Sequence, residues 1–145
     1  MINNGALDFV IVRMRRGDEP PPHVHAREHE YFYILSGEVT VYVGDRTFSL
    51  TTGDTMFLPL GVPHAFRIGS DELHSIALIT PGGLFEAINK MSAPAERMEV
   101  PADENIVAYA NYANADMTET ILLDRFGLRF LTPDEIRKKM PEYPL

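Results

Sequence analysis

Between Gly17 and Gly37 the chain places three side chains that bind transition metals: His23, His25 two residues beyond it, and Glu30 five residues further on. Imidazole nitrogens and carboxylate oxygens are suitable donors for divalent first-row metals. Alternate side chains of a β-strand share a face, so His23 and His25 point the same way. Glu30 has the wrong parity for one straight strand and joins them only if the chain bends or bulges across 26–29, a device that re-aims side chains beside active sites. Strand, bend and second strand would then bring three ligands together. His29 takes the place of Glu30 if the bend falls one residue differently. A second segment offers a fourth donor: Gly53-Asp54, Pro59, Gly61 and Pro63 lead into His64, which opens the strand-like run His64–Ile68.

The elements that must position these residues read as short strands. Ala6–Met14 sets Leu7, Phe9 and Ile11 on one face and Val10, Val12 and Met14 on the other, which predicts burial between two layers. His23–Ala26 and Glu30–Leu35 are the strands on either side of the bend. With Glu30 facing inward, so do Phe32 and Ile34. Tyr31, Tyr33 and Leu35 then face outward, a row apolar enough to need a cover from the C-terminal helices or a second subunit. Glu38–Val43 alternates with period two, and Thr47–Leu50, Thr55–Leu58, His64–Ile68 and Leu73–Thr80 complete the series. Turn signals at Gly44-Asp45 and Thr52-Gly53-Asp54 separate them. Many short strands joined by glycine-containing turns predict an all-β sandwich or jelly-roll barrel. His74 shares a face with Ile76 and Leu78 and reads as a hydrogen-bonded strand histidine.

From Pro81-Gly82-Gly83 onward the pattern turns helical. Helices are expected at Leu84–Met91, from Asp103 to about Tyr112, and from a capping box at Asp116–Glu119 to a C-terminal glycine at Gly127. An apolar link, Leu128–Leu131, leads to a last helix announced by Thr132-Pro133-Asp134-Glu135, with a cap, a proline at the first helical position and acid in the first turn. These helices are expected on the outside of the barrel.

The 145 residues suit one domain with a real core, and no internal repeat suggests two barrels in tandem. The net charge of −8 argues against a nucleic-acid surface and against anionic membranes. Cysteine is absent, which excludes disulfides, thiolate metal sites and a cysteine nucleophile and fits a cytoplasmic setting. Near the N-terminus the continuous apolar run is Phe9–Val12, far short of a signal segment or a membrane span.

Written as G-x5-HxH-x4-E-x6-G and G-x5-P-x-G-x2-H, the two segments resemble the two motifs of the cupin superfamily. The first agrees at every defined position. The second agrees as far as His64, and Ile68 stands where the family pattern closes on asparagine. The resemblance implies an all-β fold, a double-stranded β-helix of the jelly-roll type, with a short C-terminal helical extension. The barrel would span 1–82 and the extension 83–145, as one domain. It further implies His23, His25, Glu30 and His64 as metal ligands. Three imidazoles and one carboxylate on a divalent ion leave a net charge near +1. They also leave open positions on Fe, Mn, Co or Ni, whereas zinc accepts the same four and is closed.

The run from Tyr31 through Phe66, the segment Pro81–Phe85 and the run Phe126–Leu131 are similar to the quercetin 2,3-dioxygenase-like branch of the cupins. In that branch the glutamate ligand also deprotonates a flavonol hydroxyl, which implies that Glu30 is both ligand and catalytic base. The reaction implied is metal-dependent dioxygenation of a small aromatic or enolisable substrate with O2. Phe32, Ile34, Met56, Phe66 and Ile76 are the candidates for an apolar substrate pocket. Two other classes keep the same four ligands: a non-catalytic small-molecule- or metal-binding module, and a non-redox isomerase or decarboxylase. A homodimer is expected from the apolar first strand and the tyrosine row.

Overall fold

The computed structural model describes residues 5–91 and 119–145. Eight strands follow one another through the first part of the chain: β1 (Asp8–Arg15), β2 (His23–His25), β3 (His29–Ser36), β4 (Glu38–Val43), β5 (Arg46–Thr51), β6 (Thr55–Leu58), β7 (His64–Ile68) and β8 (Glu72–Thr80). A helix, α1 (Leu84–Met91), comes next. The C-terminal part contains α2 (Glu119–Ile121), which runs into a π-helical turn (Leu122–Phe126), then β9 (Leu128–Phe130) and α3 (Pro133–Lys139). The helix expected at Asp103–Tyr112 and the start of the Asp116 capping box lie outside the described residues.

The strands form two antiparallel sheets that face each other. One has the order β1-β8-β3-β6 and the other β5-β4-β7-β2-β9. Their inner faces meet in a core of Phe32, Ile34, Val39, Val41, Leu50, Leu58, Phe66, Ile68, Leu73 and Ala77, against which Val10, Val12 and Met14 pack. The period-two alternation produces this directly: Leu73, Ser75, Ala77 and Ile79 of β8 are buried while the residues between them are not. Ile68, at the position where the resemblance expects asparagine, fills the core and donates its backbone N–H to Glu19 at 2.6 Å.

The expected burial of β1 on both faces is not what the structure shows. Leu7, Phe9 and Ile11 are exposed, because one sheet alone lies behind β1 and its outer face has no cover among the described residues. Gly37 is required by close approach. At φ +98° it turns the chain between β3 and β4, and a Cβ there would lie 2.5 Å from the Glu72 carbonyl oxygen.

The C-terminal part differs from a purely helical extension. The apolar link expected at Leu128–Leu131 supplies a strand: β9 pairs with β2 in the register His23↔Phe130, Val24↔Arg129, His25↔Leu128. The sequence could not show this, since three residues are too few for a period to appear. Gly127 ends the π-helical turn in the left-handed conformation, as expected of a C-terminal glycine, and its carbonyl accepts from Ala26 N–H at 2.8 Å. Thr132 and Glu135 form the reciprocal capping box of α3, with Pro133 opening the helix. The outer face of the second sheet is covered by this tail, where Tyr42 and Ala65 pack with Leu131, Ile136 and Met140.

Candidate metal centre

The bend after the HxH pair solves the parity problem by changing sheets. β2 lies in the five-stranded sheet and β3 in the four-stranded one, so Ala26–Glu28 carries the chain across the barrel mouth. His23 and His25 therefore point inward from one side and Glu30 from the other. β7 brings His64 beside β2, with His23 and His64 directly opposed in the ladder. The donor atoms of His23, His25, Glu30 and His64 all lie within 4.8 Å of one another, and the four residues are buried or nearly so.

The bend also places Glu30, and not His29, at the cluster. His29 turns away from the cluster. Its Nδ1 accepts the backbone N–H of Leu60 at 3.0 Å and its ring lies 5.3 Å from that of Phe57. Glu30 Oε2 sits 3.6 Å from both His25 Nε2 and His64 Nε2.

The hydrogen-bond pattern fits a cation. His23 Nδ1–H donates to the Pro21 carbonyl at 2.8 Å and His64 Nδ1–H to the Val62 carbonyl at 3.1 Å. A carbonyl only accepts, so in each neutral ring the proton is on Nδ1 and Nε2 presents a lone pair. Those two Nε2 atoms face each other at 3.1 Å. Two opposed lone pairs repel unless something positive lies between them. His25 Nε2 is buried with no hydrogen-bond partner, although buried nitrogens are rarely left so. Two inward lone pairs, a third imidazole and a carboxylate around one point are the donor set of a divalent transition metal.

The electrostatics agree with deprotonated ligands. Burial, reinforced by His64 and His25, lowers the pKa of His23 to about 3, so its ring is neutral in any ordinary buffer. Burial pushes the Glu30 carboxyl upward, but the imidazoles of His25 and His64 outweigh it and hold the group well below the usual carboxylate range.

The pocket expected from the sequence is not open. Phe32, Ile34 and Phe66 line a cavity of only about 10 Å³ together with Met14, Val39, Val41, Leu73 and Ser75, room for one water at most. Met56 packs partly buried against the same core. Ile76 faces outward: it pairs with Ile11 on one side and Tyr33 on the other, both exposed. β8 is apolar on both faces, so alternation alone did not reveal which one turns inward. The apolar residues that adjoin the ligands are Leu58 and Ile79, paired with Glu30, and Leu128 and Phe130, paired with His25 and His23. Sequence reasoning also passed over Glu28, a buried carboxylate in the bend, whose neighbours Arg27 and Glu30 make it look like one of a solvated charge run.

Residues 10–80 match the family described as the cupin domain. Quercetin 2,3-dioxygenase of Bacillus subtilis (strain 168) is 24% identical over 120 residues, which cover 81% of this chain and 36% of that enzyme. Polyketide synthase CurC of Streptomyces cyaneus is 28% identical over 69 residues, 47% of this chain and 45% of that protein. The chain thus spans less than half the length of either relative. Among solved structures, KdgF from Halomonas sp. superposes with a TM-score of 0.53 at 25% identity, covering 56% of this chain and 74% of that one. TT1209 from Thermus thermophilus gives 0.50 at 28% identity, covering 54% and 75%.

Proposed function

We propose that this chain, whose residues 10–80 are a cupin domain, is a metal-dependent dioxygenase of the quercetinase-like type, acting on a small aromatic or enolisable substrate with O2. The observation that carries the reading is the convergence of three imidazoles and one carboxylate, with ligand atoms within 4.8 Å of one another. The distant similarity to quercetin 2,3-dioxygenase supplies the reaction class. His23, His25, Glu30 and His64 would hold the metal. Bound there, a redox-capable divalent ion supplies a Lewis-acid anchor for a substrate oxygen and a centre that reacts with O2.

The protein's own residues have three tasks. The Pro21 and Val62 carbonyls fix the tautomers of His23 and His64, so each Nε2 faces inward as a donor. Glu30, ionised and directed at the same point, accepts the proton of a substrate hydroxyl. Leu58, Ile79, Leu128 and Phe130, beside the ligands, exclude water and favour a flat apolar substrate there, in place of the closed interior around Phe32 and Phe66.

The test is oxygen consumption with quercetin and simpler enolisable aromatics, using apoprotein reloaded separately with Fe, Mn, Co, Ni and Zn. Uptake is expected with a redox-capable metal and none with Zn. Absence of uptake by fully loaded protein would overturn the dioxygenase reading in favour of a binding module or a non-redox isomerase or decarboxylase. No described helix is long and apolar enough to cross a membrane, and the lack of cysteine favours a cytoplasmic setting.

The same reading includes a homodimer through the outer face of the four-stranded sheet, which no described residue covers. Two rows cross that face in register: Phe9, Leu78, Tyr31 and Phe57, then Ile11, Ile76, Tyr33 and Thr55. Phe9, Ile11, Tyr31, Tyr33 and Phe57 remain 41–62% exposed. They offer roughly 500 Å² of mostly apolar surface, a large share of the ~800 Å² per partner of a standard interface. Among the described residues α3 and its flanks cover the other sheet and nothing covers this one, and a second copy is the occupant we propose for it. Light scattering at micromolar concentration should give twice the 16.3 kDa chain mass, and Ile11→Lys with Tyr33→Lys should halve it. A monomeric native protein would refute the dimer.

A further inference from the structure

The three imidazoles of the cluster are not held alike. His23 and His64 each donate Nδ1–H to the carbonyl two residues earlier, at 2.8 and 3.1 Å. His25 has no such tether. Its Nδ1 is buried and lacks a hydrogen-bond partner. A ring whose outer nitrogen is unfixed is free to choose the wrong tautomer and leave an N–H directed at the metal position. The side chain facing that nitrogen belongs to Glu28, whose Oε2 lies 3.8 Å away, is equally buried and also lacks a partner.

We infer that Glu28 is the positioning residue of His25: its carboxylate accepts Nδ1–H, fixes the tautomer and turns Nε2 toward the metal. The two orphaned atoms are complementary, one a donor and one an acceptor, and about 1 Å of approach would make a charge-assisted hydrogen bond of them. The two residues that precede Glu28 are clamped. Ala26 N–H donates to the Gly127 carbonyl, and the Arg27 guanidinium donates to the carbonyls of Asp124 and Arg125. The bend therefore holds Glu28 against His25 through contacts from the C-terminal part of the chain. A carboxylate in this place does more than a carbonyl. It makes His25 a stronger donor, and a second negative charge near the site offsets the +1 that three imidazoles and one carboxylate leave on a divalent ion.

The inference rests on the four-ligand metal site and is independent of the reaction assigned to it. The experiment is titration of apoprotein with Co²⁺, followed by calorimetry and by the visible absorption of the bound ion, for the wild type, Glu28→Gln and Glu28→Leu. Glu28→Leu should weaken Co²⁺ binding by about 10- to 100-fold and Glu28→Gln by less, since the amide oxygen still accepts the hydrogen bond. At saturating Co²⁺ both variants should show an altered absorption band, a readout that a purely structural role for Glu28 would not move. If Glu28→Leu fails to fold, the band and affinity of the near-isosteric Glu28→Gln decide. Wild-type affinity and an unchanged band in the variants would overturn the positioning role. A wild type that takes up no Co²⁺ would instead remove the metal site itself.

Discussion

Glu30→Ala protein should bind its metal at least ~100-fold more weakly than the wild type and consume no measurable oxygen with any substrate the wild type accepts. Two functions are lost at once. The site loses its one anionic ligand, which offsets half the charge of a divalent ion, and the substrate loses its proton acceptor. Glu30→Gln separates them. The amide keeps an oxygen donor in nearly the same place but carries no charge and takes no proton. It should retain part of the metal affinity while turnover stays near that of Glu30→Ala. His64→Ala should also empty the site, since His64 Nε2 lies 3.1 Å from His23 Nε2 and 3.6 Å from Glu30. His29→Ala is the control. With its Nδ1 committed to Leu60 and its ring against Phe57, His29 has no place at the cluster, and metal content should be unchanged. Metal content by elemental analysis and oxygen uptake under identical loading check all four. Metal lost from His29→Ala but kept in Glu30→Ala would show that the wrong neighbour has been assigned.

The convergence of His23, His25, Glu30 and His64 was legible because it depends on local rules. Period-two alternation aligns His23 with His25, and the parity of Glu30 demands a bend, which the structure provides as the crossing from one sheet to the other. The second segment was legible for the same reason: glycine and proline punctuate the approach to His64, and β7 follows. Residues whose placement depends on a partner strand were not. β1 and β8 are apolar on both faces, so which face turns inward is settled by their register against each other, by that of β8 against β3 and by the opposite sheet. Phe9 and Ile76 were misplaced for that reason. The substrate pocket failed differently. Phe32, Ile34 and Phe66 do face inward as their alternation requires, but inward in a small barrel means packed, and the space between them is about 10 Å³. Alternation gives direction and says nothing about volume.

The C-terminal part shows the same limit. Thr132-Pro133-Asp134-Glu135 and Gly127 were readable because caps are short-range devices whose chemistry lies in adjacent residues. β9 was not, since its strand character comes from β2, far earlier in the chain. Its role follows from that pairing. Leu128 and Phe130 are placed beside His25 and His23, and the neighbouring Gly127 and Arg125 carbonyls clamp the bend that carries Glu28. The extension is therefore part of the site's scaffold, and the barrel alone would leave one side of β2 unpaired.

Apoprotein should lose stability steeply as the pH falls below about 6.5, and His23 is the reason. Its pKa is lowered from 6.5 to about 3 on folding, by burial first and then by the neighbouring His64 and His25. Between those values the unfolded chain binds a proton that the folded chain refuses. Stability that is fully present above pH 6.5 is then lost progressively on the way down to about 3. At about 1.4 kcal/mol for each pH unit between the two values, the full effect is on the order of 5 kcal/mol, a large part of a small domain's stability. Glu28 opposes this. Burial raises its pKa above 4.5, so its ionisation costs stability as pH rises through the raised value, and acid relieves that cost. The shift of His23 is large, so the net slope follows His23. Glu30, whose pKa is lowered, adds to the acid loss below 4.5. Urea unfolding of apoprotein at pH values of about 7.5, 6.0 and 4.5 should show the midpoint falling at each step. His23→Asn, which keeps a polar group near the Pro21 carbonyl but does not titrate, should flatten the slope across the lower part of that range. A wild-type midpoint that is constant across the whole series would mean that the folded site accepts the proton, and that His23 is not held as a neutral donor ready for a metal.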